Sequence, residues 1–190
     1  LLQQAEAELF SVSEQSLKSD VASLEHILTD SFDRMEELHR NKGQLRGIRT
    51  GYRDLDNMTA GLQRSDLIIL AARPAMGKTT FVTNLAYNVA TIAKQPVLFF
   101  SLEMSKEQLV DRMLSDASGV DAWNIRTGNL SDDDFSKISD AMGELAEAPI
   151  FIDDQPGLSV LEMRTKARRV SHDSPLGLII VDYLQLMQGS

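Results

Sequence analysis

The sequence predicts an α/β fold, a parallel sheet flanked by helices, and three observations carry that prediction. From about residue 44 onward, short continuous apolar runs alternate with longer stretches of helical periodicity. The runs show no alternation with polar residues, as expected for strands covered on both faces. The first run also passes through a tight turn directly into a helix, the unit from which parallel sheets with right-handed crossovers are built.

The chain begins differently. A short helix is expected over Leu1–Val12, a Ser-rich polar linker over Ser11–Asp20, and a second helix over Ser23–Arg40. Ser23 suits the N-cap of that helix and Gly43 its stop. Leu24, Ile27, Leu28, Phe32, Met35 and Leu38 form one apolar stripe, with Glu25, Asp30, Asp33, Arg34, Glu36 and Glu37 around it. Either the domain that follows or a neighbouring subunit must cover such a stripe. Residues 1–43 therefore read as a helical linker segment, and residues 44–190 as part of an α/β domain.

Within that domain, strands are expected at Leu67–Ala71, Val97–Ser101, Ile150–Asp153 and Leu178–Asp182. Helices are expected at Lys78–Ala93, Lys106–Ala117, Asp132–Glu147 and Val160–His172. Asp132, Asp133 and Asp134 follow Ser131 at a helix start, so they read as capping and dipole complementarity rather than as metal ligands. Trp123 lies in a mixed helix-turn segment and is expected to pack in the core. Arg164, Lys166, Arg168 and Arg169 read as a solvated basic helix face, with a subunit or DNA contact as the alternative.

Composition narrows the classes. The 190 residues, 43% hydrophobic and 25% charged, suffice for one domain with an appendage. No apolar run is long enough to span a bilayer. The chain has no cysteine, which excludes disulfides and thiolate metal sites and fits a cytosolic address. Its three histidines are scattered and suggest no metal site, and a net charge of −9 argues against a surface dominated by nucleic-acid binding. Leu1 is not a start methionine, and the chain stops at Gly189-Ser190 just after an apolar strand. Both ends read as cut, so a fragment is expected.

The chemistry concentrates at Ala72-Arg73-Pro74-Ala75-Met76-Gly77-Lys78-Thr79-Thr80, between an apolar run and an amphipathic helix. This is the context of a phosphate-binding loop, in which backbone N–H groups and the positive helix end face the phosphates of a nucleoside triphosphate. Lys78 supplies a mobile positive charge, and the Thr79 hydroxyl is placed to ligand Mg²⁺. Ala72 stands where the usual pattern has glycine, so the loop is expected to enter in ordinary extended conformation. Such a site needs a second acid for Mg²⁺ and another to activate water. Asp182 ends the apolar run Leu178–Val181 and fits the first role. Glu103 follows Val97–Leu102 at the expected carboxyl edge of the sheet and fits the second, with helix capping near Ser105 as its alternative.

Several segments together resemble the DnaB-type replicative DNA helicases of bacteria. They are Ala71–Thr80, Phe100-Ser101-Leu102-Glu103-Met104, Ile125-Arg126-Thr127-Gly128 and Ile180-Val181-Asp182-Tyr183-Leu184-Gln185-Leu186-Met187. Gly51-Tyr52-Arg53-Asp54-Leu55-Asp56 and Thr59-Ala60-Gly61-Leu62 fit the same family's lead-in, so the likeness runs from about Gly47 to Met187. It implies a RecA-like ATPase core, of which residues 44–190 would be the N-terminal part. It also implies a cytoplasmic homohexameric ring that uses ATP and Mg²⁺ to translocate 5′ to 3′ on single-stranded DNA, with primase and a helicase loader as partners.

On that resemblance Lys78, Glu103 and Arg112 are catalytic, Thr79 and Asp182 hold the metal, and Ala72–Thr80 bind the nucleotide. Arg112 lies nine residues after Glu103, where the family has an arginine that interacts with that glutamate; by itself it reads equally as a surface helix residue. Gln185 matches the family without a defined role. The Ser23–Arg40 helix falls where the family has a linker helix that packs on the next subunit. The DNA-binding loops and the arginine finger supplied in trans would lie after Ser190, so this chain is expected to bind ATP yet hydrolyse it poorly. Two rivals remain: a RecA-like recombinase or clock-type ATPase, and a non-catalytic assembly fragment.

Overall fold

A computed structural model describes residues 24–40 and 45–189, and the chain divides into two units between residues 44 and 45. The first unit is represented by α1 (Leu24–Arg40), closed near its end by an Arg40–Glu36 ion pair at 2.6 Å. Leu24, Ile27, Leu28, Phe32 and Met35 of its stripe are all exposed. The helix expected over Leu1–Val12, the Ser11–Asp20 linker, the Ser23 cap and the Gly43 stop lie outside the described residues.

The second unit runs α2 (Arg53–Thr59), α3 (Lys78–Thr91), β1 (Val97–Ser101), α4 (Lys106–Ser118), α5 (Ala122–Thr127), α6 (Asp132–Glu147), β2 (Ile150–Asp153), α7 (Val160–Asp173) and β3 (Leu178–Asp182). A short 3-10 turn over Leu184–Leu186 follows. The strands form one parallel sheet in the order β2-β1-β3. The three strands and the helices α3, α4, α6 and α7 lie where the sequence predicts them. Ser105, Ser131 and Ser159 begin α4, α6 and α7 with capping boxes, so the Asp132–Asp134 run is a helix start as expected.

The core has two layers around β1. Val97 and Phe99 pack with Ala86, Val89 and Ala90 of α3, Leu109 and Met113 of α4, and Ile180 of β3. Leu98 and Phe100 face the other way, onto Leu158 and Met163 at α7. Every residue of β1 is buried, as a central strand with helices on both sides must be.

Three expectations need correction. Leu67–Ala71 has strand composition but no ladder: it pairs with nothing among the described residues, and Leu67 is 88% exposed. A strand exists through a partner's hydrogen bonds, and apolar composition alone does not supply one. Burial on both faces holds for β1 only. Phe151 of β2 and Ile179 and Val181 of β3 are exposed, because these strands flank the sheet and are covered incompletely. Trp123 is 63% exposed rather than in the core. It sits on the six-residue α5, which buries no residue, and the Arg126 guanidinium lies 5.2 Å from its ring centroid.

The basic cluster on α7 is also divided. Arg164, Arg168 and Arg169 are exposed, as a solvated face requires, whereas Lys166 pairs with Asp153 and Gln155 at the end of β2. The sequence also gives no warning of α2, which is too short to show periodicity. It belongs to a buried knot in which Asp56 Oδ1 accepts hydrogen bonds from the Thr50 amide at 2.9 Å and its hydroxyl at 2.8 Å. Asn88 of α3 donates to the Thr50 carbonyl, and Tyr52 stacks on Phe81 of α3 at 5.1 Å. The knot thus grips the helix that carries Lys78 and Thr79 at two points.

Candidate nucleotide-binding site

The site gathers where α3 starts and β1 and β3 end. α3 begins at Gly77, whose φ of 81° lies in the left-handed region, and Ala75 has a φ of 61°. Ala72 is not among the residues with positive φ, in keeping with the expected entry. A Cβ added at Gly77 would meet nothing within 4 Å, so glycine serves the backbone turn there rather than a tight packing contact. No side chain caps α3, whereas α4, α6 and α7 each carry a serine cap. Its first N–H groups therefore point outward without a side-chain acceptor, the arrangement that receives an anion. Ala72, Arg73, Pro74, Ala75, Met76, Gly77 and Thr80 are exposed, and Lys78 and Thr79 are half-buried.

Asp182 is the hub of the site. Its side chain is only 5% exposed, Lys78 Nζ lies 2.9 Å from Oδ1, and Thr79 Oγ1 donates to Oδ2 at 2.7 Å. The Lys78 ammonium also sits 4.1 Å from the centroid of the Tyr183 ring. The Asp182–Tyr183 peptide is cis. Thr79 Oγ1 and the Asp182 carboxylate are hard oxygen donors of the kind Mg²⁺ takes, so the chemistry of the pair fits the ion, while their 2.7 Å spacing is that of the hydrogen bond joining them.

β1 and β3 pair with Ser101 opposite Asp182, which sets Glu103 two residues past the partner of Asp182 on the same sheet edge. The Leu102 amide donates to the Asp182 carbonyl at 2.8 Å, and Ser101 Oγ donates to the Met104 carbonyl at 2.7 Å, folding the chain sharply around Glu103. Glu103 is exposed and has no hydrogen bond or ion pair among the described residues. The cap of α4 is Ser105 with Gln108, so Glu103 is free of the capping role weighed as its alternative. Arg112 is half-buried on α4, and no hydrogen bond or ion pair joins it to Glu103. Its charge is felt by Asp116, whose carboxyl burial nonetheless pushes up. Gln185 is exposed. Sequence reasoning assigns Tyr183 no role, although its place directly after the strand-ending aspartate is the available signal.

The profile of the DnaB-like helicase C terminal domain matches residues 47–190. The chain belongs to this family. It is 49% identical over its whole length to the replicative DNA helicase DnaC of Bacillus subtilis, and 47% identical to the replicative DNA helicase DnaB of Geobacillus stearothermophilus. It spans 42% of the length of each. Among solved structures, one described as an "ATPase Domain" matches with a TM-score of 0.82 and 31% identity, over 90% of this chain and 60% of that one. "The Structure Of A DnaB-Like Replicative Helicase And Its Interactions With Primase" matches with a TM-score of 0.79 and 31% identity, over 99% of this chain and 45% of that one. The DnaB-like segment thus has the RecA-like ATPase fold, and the sheet edge bearing Glu103 and Asp182 is its own. Among its described residues, no helix is long and apolar enough to cross a membrane.

Proposed function

We propose that the chain forms the nucleotide-binding part of a replicative DNA helicase, an ATP-driven motor. The observation that carries this reading is the convergence of Lys78, Thr79 and Asp182 at an uncapped helix start, with Glu103 on the same sheet edge. In use, the Ala72–Thr80 loop wraps the phosphates with its amides, and Lys78 leaves Asp182 to lie against their charge. Mg²⁺, held by Thr79 and Asp182, would neutralise charge on the phosphate oxygens. Glu103, unpaired and open to solvent, orients the attacking water and accepts its proton. Arg112 steers Glu103 from α4.

In the full assembly we place the chain in a cytoplasmic bacterial homohexamer that moves 5′ to 3′ on single-stranded DNA. The Ser23–Arg40 segment docks on the adjacent subunit through the stripe of α1, and primase and a loader bind the ring. The similarity to a solved DnaB-like helicase described with its interactions with primase supports that partner.

The test exchanges the matching segment of the Bacillus subtilis relative for this chain and measures ATP turnover and strand displacement. The expected result is ATP-dependent unwinding that a Lys78→Ala substitution abolishes. A chimera that assembles and binds ATP yet neither hydrolyses it nor unwinds DNA would overturn the reading.

A further inference from the structure

We propose that Tyr183 is a positioning residue that holds Lys78 in a resting seat, which nucleotide must empty before it binds. The inference rests on the nucleotide-binding reading above. Lys78 Nζ lies 2.9 Å from Asp182 Oδ1 and 4.1 Å from the Tyr183 ring centroid, so a carboxylate and a ring face hold one ammonium from two directions. Thr79 occupies the other Asp182 oxygen. Both Asp182 oxygens are therefore engaged by the residues that a phosphate and its metal would claim. The Lys78 side chain is 27% exposed, enough to swing out on its flexible stem without disturbing the core.

Because Lys78 cannot rest on Asp182 and lie on a phosphate at once, whatever stabilises the seat weakens nucleotide binding. A partly exposed cation–π contact corresponds to an occupancy change of about two- to fivefold. Tyr183 thus tunes affinity downward. Its phenol oxygen plays no part, so the ring alone is required.

The experiment measures binding of a fluorescent ATP analogue to the chain with Tyr183→Leu and Tyr183→Phe, checking each fold by circular dichroism. The upfield ring-current shift of the Lys78 ε-methylene is followed by NMR without nucleotide. Tyr183→Leu is expected to bind about two- to fivefold more tightly and to lose the shift, whereas Tyr183→Phe keeps both at the wild-type level. A merely structural defect would weaken binding, so the sign separates the two explanations. If wild-type chain binds the analogue and Tyr183→Leu binds equally or more weakly, the seat is overturned while the functional reading stands. An unshifted ε-methylene in the wild type also overturns it. If the wild-type chain fails to bind, both fall.

Discussion

Thr79 Oγ1 and Asp182 Oδ2 are 2.7 Å apart although 103 residues separate them in sequence. Nothing local brings them together. The pairing of β1 with β3 sets the height of Asp182, and the packing of α3 on β1 sets that of Thr79.

The first prediction concerns the metal. Substituting Asp182→Asn removes the charge that both partners use. Losing a charge-assisted contact costs about 1.5–3 kcal/mol, or about 10–100-fold in affinity. Titrating Mg²⁺ against binding of a fluorescent ATP analogue should show the apparent Mg²⁺ requirement rising by that factor. Unchanged Mg²⁺ dependence would remove Asp182 from the metal site.

Glu103→Gln separates chemistry from binding. Glu103 has no partner among the described residues, so the amide should leave the fold and nucleotide affinity close to wild type. Turnover by the Bacillus subtilis chimera should fall by about 10²–10⁴, the usual worth of a general base. Steady-state ATPase assays beside binding isotherms check this; a loss of affinity with turnover intact would assign Glu103 a binding role.

Added charges on α1 test the docking surface. Leu28→Glu and Met35→Glu place acids in an exposed stripe, so they should not unfold the chain. In the chimera they should break the ring into smaller species by light scattering while analogue affinity stays nearly constant. A ring that survives both substitutions means that the stripe docks elsewhere.

The knot beneath α3 should show in stability. Asp56→Ala strands the buried Thr50 amide, at about 1–3 kcal/mol for an unsatisfied group, whereas the Thr50 hydroxyl keeps the bond it accepts from the Tyr52 amide. Asp56→Asn retains an accepting oxygen and should cost less. Gly51→Ala should also destabilise, because its Cβ would come within 2.9 Å of Asn88 at a φ of 81°. Urea midpoints rank the three variants; equal midpoints for Asp56→Ala and wild type would show that water satisfies the knot.

Acid titration should reveal the capping boxes. Hydrogen bonds from the Ser159 amide and then its hydroxyl hold the Glu162 carboxyl below its usual range, and Ser131 does the same for Asp134. A folded-state value lying below the unfolded one gives stability that is present above the ordinary carboxylate pKa. That stability is lost as pH falls through the depressed folded value. Unfolding midpoints followed from about pH 5 to about pH 3 should therefore drop more steeply in wild type than in a Glu162→Gln, Asp134→Asn double variant. Parallel curves would show that these caps do not titrate with folding.

Much of this architecture is legible before folding is considered. Continuous apolar runs place β1, β2 and β3, and serine caps followed by helical periodicity place α4, α6 and α7, because those signals are local. The places of Lys78 and Thr79 at a helix start, and of Asp182 and Glu103 at one sheet edge, are legible for the same reason. Where a residue's role depends on a distant partner, the signal fails. Leu67–Ala71 has the residues of a strand without a ladder, and Trp123 has the bulk of a core residue on a helix that buries nothing. Tyr183 gains its role only when Lys78 arrives from a helix about a hundred residues earlier.

The bare run Leu67-Ile68-Ile69-Leu70 has a consequence for handling the protein. It offers apolar side chains and unladdered backbone to any passing copy, the makings of intermolecular β-pairing. Mutual repulsion from a net charge of −9 is the main brake on such encounters. Colloidal stability should accordingly be best in dilute, low-salt buffer well above the isoelectric point, and it should fail as added salt screens that repulsion.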